Sequence, residues 1–507
     1  MYLWAIVQYI FIIMMYIGSH QRDGMKFRPY NQAQTRFVNL NYREILGEDS
    51  DAVVISDIID LMDLSHIESQ FVEVGNIAFD PKEMMKILVY GYFKGYFGGR
   101  PLHKNYKNDL GLRYLSNDDF PDFRTINNFR IKFKDEIADV FAQVVMLCKS
   151  LGMIGFKNLS IDGQKIKANA NVFQNKNLKG IKREKEKIEK LLRKLLDNEI
   201  EFKSEDDKQK KKKKLEKRKK KLEDATKLLI EAGAENDDGL RYNLSDPEAK
   251  IMTDKRGVKN PDYNAQNAVD DKFEILTAVN VIDNPSDSGQ LDPMKEESEN
   301  NTGSTHENTL ADSGYPDKDT FERMEKDTTT EYYVPDKTMH SSRNDPYSKW
   351  NFQYHKDLDI YFCPQGVKLS YVRTCKDKDG FEYRLYQAED CSGCPVSDKC
   401  RRKSKNGNKK INNRTISIYP QDEAVKRMRK KLDSEDGKKI YQRRMSTVEP
   451  LHGDMQKNRG FTQFVLRGLE KVNVEYNLLA IAHNVRKIIL HGAKALKEYL
   501  VKAQITA

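Results

Sequence analysis

Between residues 156 and 335 short runs of alternating apolar and polar residues are separated by stretches with helical spacing. The segment 156–162, closing on KNLSID, predicts a short strand ending at Asp162, and KIKANA after Gly163 predicts a second. FEILTAVNVID (273–283), NTLAD (308–312) and EYYVP (331–335) predict three more strands. Helices are predicted from Leu291 to Glu299 and over DKDTFERMEKD. Strands alternating with helices, with acids at strand ends, imply a mixed α/β sheet.

The flanks read differently. Residues 25–150 have helical periodicity throughout. Asp80-Pro81 opens a helix that Gly98-Gly99 closes, with Pro at the first helical position. Thr125 is the expected N-cap of a long amphipathic helix ending at Gly152, and Arg124, Arg130, Lys132 and Lys134 gather positive charge near its start. A basic, polar helix N-terminus suits insertion into a DNA major groove. Residues 177–232 form an insert with Ile181, Ile188, Leu191 and Leu195 on one side, then Leu215, Leu222 and Leu229 at sevens. With a break near 202–207 this predicts an antiparallel coiled-coil hairpin, whose run KQKKKKKLEKRKKK reads as a solvated face. A second insert, 336–418, contains the β-like pieces DIYFCPQG and FEYRLYQ. From 420 onward the pattern is helical again.

Composition narrows the partner. The chain has 507 residues, 32% charged and 38% hydrophobic, with net charge +10, which favours a polyanion and above all nucleic acid. Residues 1–18 lack any charge but are barely long enough to span a bilayer, and the basic n-region and small-residue cleavage site of a signal peptide are missing. The expectation is a start at Met25, with 1–24 outside the native protein, no membrane partner and a cytoplasmic location.

Two sets of residues carry chemistry. Asp162, Asp312 and Glu449 each sit in a distinctive motif, far apart in sequence. If folding brings them together they form a hard-oxygen pocket, and such close carboxylates require cations to stay ionised. Two divalent ions held this way cut and rejoin phosphodiesters. Separately, four of the six cysteines lie between Cys375 and Cys400. Cys391 and Cys394 make a CxxC with Cys400 following, and Cys363 or Cys375 supplies a fourth thiol, a set suited to structural Zn²⁺.

From Met25 to Ile489 the chain resembles DDE-type bacterial insertion-sequence transposases. GNIAFDPKEMMKILVYGYFKGYFGGR and FPDFRTINNFR resemble the family's helical DNA-binding domain, and IDGQKIKANA its first-Asp segment. SDPEAKIMTDKRG and PDYNAQNAVDDKFEIL resemble the next core strands, and LADSGYPD the second-Asp motif. YQRRMSTVEPLHGDMQKNRGF and LEKVNVEYNLLAIAHNVRKI resemble the Glu helix and its continuation. His452 stands where the family tends to have an aromatic residue, and Gln456 where it has a basic one that neighbouring Lys457 replaces.

The resemblance implies an α/β, RNase H-like mixed-sheet core with an N-terminal all-α domain, a helical-hairpin insert and a Cys-rich β-containing insert. The expected divisions are 25–150 for DNA binding, 151–176 and 233–335 for the core, 177–232 and 336–418 for the inserts, and 419–507 for the helical part carrying the catalytic Glu. It implies Asp162, Asp312 and Glu449 as catalytic ligands of two Mg²⁺ (or Mn²⁺) ions, and Tyr441, Arg444 and Lys457 as DNA contacts; Arg124, Arg130, Lys132, Lys165 and Lys167 join them as expected contacts by their charge and place in the motifs. Asn169 and Gln266 are further polar neighbours of the motifs. The implied activity is Mg-dependent cleavage and strand transfer at an element's terminal repeats, by a dimer or larger assembly associated with the bacterial nucleoid. An RNase H-like nuclease without joining activity and an inactive DNA-binding relative are the alternatives.

Overall fold

The alternation between 156 and 335 folds into one mixed sheet. A computed structural model of the chain describes residues 41–71, 78–253 other than 236 and 238, 257–401 other than 318, and 413–506. Strand β1 (Asn158–Lys167) is followed by a two-residue ladder of β2 (Asn175–Lys176) and β3 (Tyr242–Asn243). Then come β4 (Lys250–Thr253), β5 (Lys259–Asp270), β6 (Ile275–Ile282), β7 (Asn308–Ala311) and β8 (Glu331–Tyr333). The order is β4-β5-β1-β7-β8, with β6 also on β5. β5 runs antiparallel to β1 and β6, whereas β7 and β8 run parallel to β1. An antiparallel meander continued by parallel strands, with helices on both faces, is the RNase H-like arrangement expected from the sequence.

Strand β1 departs from the expectation of two short strands. It continues unbroken through Gly163, which pairs with Gln266. The ladder to β5 holds the backbone extended, so the glycine terminates nothing. Its role is to leave room. A Cβ there would lie 2.5 Å from Asp287 Oδ1 and 2.7 Å from Gln266 Nε2.

One face of the sheet packs against the N-terminal helices and the C-terminal helix Leu469–Lys487 in a single buried cluster running from Ala52 to Leu496. The other face, with Leu159, Ile161 and Ala311, packs on helices Leu291–Thr302, Thr320–Lys326 and Asp422–Asp433. The helices before residue 150 therefore share their core with the sheet. The expected long helix starting near Thr125 is two, Phe123–Lys132 and Lys134–Ser150, interrupted at Phe133. The cap of the first is Asp122, which accepts from the Thr125 N–H at 2.7 Å. The helix opened by Asp80 and Pro81 ends at Gly95 (φ +80°), four residues before the expected glycine pair is passed.

The first insert is a helical hairpin, Leu178–Leu196 and Glu205–Glu231, closed by Ile181, Ile188, Leu195, Leu222, Ala225 and Leu229. Its seam uses Leu192 where Leu191 was expected; Leu191 is exposed. The second insert holds a five-stranded antiparallel sheet. Its strands are β9 (Gln353–His355), β10 (Ile360–Phe362), β11 (Lys368–Lys376), β12 (Glu382–Ala388) and β13 (Thr415–Ile418). Among the described residues no helix is long and apolar enough to cross a membrane. The apolar run 1–18 and the expected start at Met25 lie outside the described residues.

Candidate active site

The parallel register of β1 and β7 pairs Ile161 with Ala311, which sets Asp162, midway along β1, beside Asp312, the residue that follows β7. Neighbouring strands lie about 4.8 Å apart, and residues in register project to the same face. Each carboxylate accepts a local backbone N–H, Asp162 Oδ1 from Gly163 at 3.0 Å and Asp312 Oδ1 from Gly314 at 2.7 Å. Burial, and then the adjacent Asp162 and Asp287 charges, push the Asp312 carboxyl above its ordinary value, against the pull of the Gly314 N–H and Arg444.

Asp287, in the loop after β6, is a third acid at this place, and the sequence pattern did not single it out. Its Oδ1 accepts from Asn264 Nδ2 (2.6 Å) and Gln266 Nε2 (2.8 Å) and pairs with Lys165 Nζ (3.2 Å). A Cβ on Gly314 would lie 3.0 Å from Asp312 Oδ1 and 3.5 Å from Asp287 Oδ2, so both carboxylates border the same small opening. Tyr315 closes its floor, fully buried and donating to Gln266 Oε1.

The helix Glu435–Gly453 lies over the acid face and presents Arg444, whose Nη1 is 3.2 Å from Asp162 Oδ2. Burial disfavours the guanidinium charge, but Asp162, Tyr441 and Asp312 more than offset this and its pKa is raised. Arg444 Nε and Nη1 are buried without a well-formed hydrogen bond. About two turns further on, His452 Nε2 is 3.3 Å from Asn267 Nδ2, and Asn267 is the β5 residue paired with Asp162. Thr447, Val448 and Leu451 are buried on the same helix.

Glu449 is not part of this cluster. At 3.6 residues per turn it falls about 140° round the helix from Arg444, and it is exposed. Among the described residues no three His, Cys, Asp or Glu side chains stand ready to hold a metal. Thus Asp162 and Asp312 come together with Asp287 and Arg444, and Glu449 sits on the solvent side of the covering helix. Pro450, next to it, removes the N–H that would bond the Ser446 carbonyl, which weakens the helix at this turn.

The expected DNA contacts divide by exposure. Arg124, Lys132, Lys167 and Lys457 are exposed. Arg130 is fully buried, donating to Tyr92 OH and Asn127 Oδ1, both at 2.7 Å, so it braces the core and cannot reach DNA. It belongs to the inner face of its helix, which a count of basic residues does not reveal. Lys165 is engaged by Asp287, while Tyr441 and Arg444 lie at the acid pair. Asn169 ties down the 465–467 segment, donating to the Val465 carbonyl and accepting from Arg467. Of the cysteines, Cys363, Cys391, Cys394 and Cys400 line one cavity, whereas Cys375 pairs across β11–β12 with Tyr383.

Two family models match the chain. Residues 40–132 match one described as Transposase domain (DUF772), and residues 362–489 match one described as Transposase DDE domain. The second span includes Glu449 and all five cysteines of the insert; Asp162 and Asp312 precede it. No curated protein and no solved structure matches. Together with the RNase H-like sheet, the two matches support a DDE-type insertion-sequence transposase. It is a nucleic-acid-processing enzyme of a class that acts on DNA and generally uses divalent metal ions.

Proposed function

We propose that this chain binds the terminal repeats of its element and catalyses strand cleavage followed by strand transfer, using Asp162, Asp312 and Glu449. The observation that carries the reading is the adjacent pair Asp162, within β1, and Asp312, just after parallel β7, beneath the helix that bears Glu449.

The donor set suits divalent cations. Two neighbouring carboxylates, one driven toward protonation by burial and its neighbour, need positive charge nearby, and hard oxygens are the ligands Mg²⁺ prefers. Asp162 and Asp312 would hold such ions, joined by Glu449 through bending of the helix at Pro450, and the ions would activate the attacking oxygen and stabilise the leaving one. The chain's own groups do the positioning. Arg444, ion-paired with Asp162 through Nη1 and with a buried Nε that makes no hydrogen bond, is suited to a phosphodiester oxygen. Gly163 and Gly314 keep bulk away from the acids, and their N–H groups fix the carboxylate orientation. Lys165, Asn264 and Gln266 restrain Asp287, whose charge adds to the pull on any cation. The exposed Arg124, Lys132, Lys167 and Lys457 extend the positive surface for the DNA backbone.

The test is a reaction on a labelled duplex carrying the element's end and its flanking sequence, with Mg²⁺ and a supercoiled target. Nicking that exposes a 3′-hydroxyl, then joining to target, supports the proposal. Nicking without joining assigns a nuclease, and a shifted duplex left intact in Mg²⁺ and Mn²⁺ assigns an inactive binder.

A further inference from the structure

The Cys-rich insert is small for the sheet it supports. Its buried cluster comprises Phe352, Tyr361, Leu369, Tyr386, Ala388, Cys391 and Ile416 among the described residues. A core of this size stabilises a sheet weakly, and small modules usually add a metal or disulfides. The six cysteines are free thiols.

We infer that Cys363, Cys391, Cys394 and Cys400 form a structural Zn²⁺ site that pins the loop 389–401 to the β10–β11 turn. All four line one cavity, and the other three surround Cys400 closely enough to act on it electrostatically. They come from three places: the turn after β10, the CxxC after β12, and the short helix Ser397–Cys400. The turn at Cys363 is built around its sulfur. Gly366 adopts φ +80° and donates to the Cys363 carbonyl at 2.8 Å, and the Val367 N–H points at Cys363 Sγ at 3.3 Å. A backbone N–H aimed at a sulfur orients it, as outer hydrogen bonds do around metal ligands.

Charge supports the same assignment. Four thiolates around Zn²⁺ leave a net charge of −2, and Arg401 and Arg414 line the same cavity. Arg401 also donates to the Cys391 carbonyl at 3.2 Å, and Arg414 to that of Tyr347 at 3.1 Å, so both guanidiniums are held beside the thiols. Cys375 is excluded by its place on β11, which resolves the choice left open by spacing. No three thiols stand at ligand spacing now, so binding needs rotation of the side chains about their Cα–Cβ bonds within the cavity. Each thiol gives its proton to solvent as its sulfur takes the metal, with no change of oxidation state. The site is structural because protein sulfurs fill all four tetrahedral positions.

The full chain, purified under reducing conditions without chelator, is analysed for bound metal by mass spectrometry. About one zinc per chain is expected, released by a mercurial that titrates thiols. The double variant Asp162→Asn/Asp312→Asn keeps the zinc, which separates this site from the acid pair. Cys391→Ser and Cys400→Ser lose it, and Cys375→Ser retains it. Should the serine variants not fold, Co²⁺ added to the metal-stripped wild-type chain decides: tetrahedral thiolate–cobalt bands support the site. Absence of both zinc and those bands overturns it, as does zinc that survives Cys391→Ser or is lost with Cys375→Ser. Disulfides among the four thiols, found by alkylation of the native chain, also overturn it.

Discussion

Gly163→Ala tests how tightly β1 and Asp287 are built around each other. The added methyl would stand 2.5 Å from Asp287 Oδ1, about 1 Å inside a normal van der Waals separation of about 3.5 Å. Asp287 cannot withdraw freely, because that oxygen is held by Asn264 at 2.6 Å, Gln266 at 2.8 Å and Lys165 at 3.2 Å. Backing away lengthens all three contacts, and retreat of β1 disturbs its ladder to β5. Overpacking of this kind costs about 1–3 kcal/mol, and shifting a charged group about 1 Å beside the reacting centre lowers turnover by up to about a hundredfold. Urea unfolding gives the first quantity and single-turnover cleavage of end DNA the second. The decisive comparison repeats Gly163→Ala in an Asp287→Ala background, where the closest contact is gone and the Gln266 and Asn264 amides, released from Asp287, are free to give way. The stability cost there shrinks by about 1 kcal/mol or more. An equal cost in both backgrounds would refute the steric argument.

Arg130→Met removes a buried guanidinium that donates to Tyr92 and lies near buried Glu475, leaving that carboxylate short of its compensating charge. Unfolding free energy falls by about 3–5 kcal/mol, while end-DNA affinity per folded molecule is unchanged; a selective loss of affinity would restore a DNA-contact role. His483 is buried between Arg459 and the Glu274 carbonyl, and its pKa is lowered from 6.5 to about 3, by burial first and then by Arg459. The unfolded chain therefore binds the proton first, and stability drops as pH falls from 6.5 toward 3, by up to about 1.4 kcal/mol per pH unit. The wild type shows this extra slope relative to His483→Gln in urea titrations. Asp312 behaves in the opposite sense: its raised pKa stabilises the fold fully below the ordinary carboxyl value of 3.8, and the contribution is lost as pH rises through the folded value. Above the folded value the carboxylate's charge is a net cost, so Asp312→Asn raises the urea midpoint there even as it removes a proposed metal ligand.

The sheet was legible because its strands alternate and its two aspartates close their motifs; β7 ends immediately before Asp312 as expected. The hairpin insert was legible from its heptad spacing, although Leu191 and Leu192 exchange roles. Glycine misled where it was read as a strand end, because at Gly163 the missing side chain serves a neighbouring loop and the ladder supplies the backbone order. Asp287 was invisible because its importance comes from contacts with Asn264, Gln266 and Lys165, on two strands distant in sequence. Arg130 was misassigned because periodicity marks which side of a helix is apolar, and a buried arginine paired with Tyr92 looks polar on that count. The motif's resemblance likewise put Glu449 with the acids, but its phase on the helix is set by Thr447, Val448 and Leu451, which turn it outward.

The central claim is that Asp162, Asp312 and Glu449 act as one site. It is tested most directly by single-turnover cleavage of end DNA in Mg²⁺ by the wild type, Asp162→Asn, Asp312→Asn and Glu449→Gln, with binding of the same DNA measured in parallel. The account predicts that each variant binds the DNA and none cuts it above background. Cleavage at the wild-type rate by any of the three would contradict it, and for Glu449→Gln would mean that the outward position of this residue is also its working one.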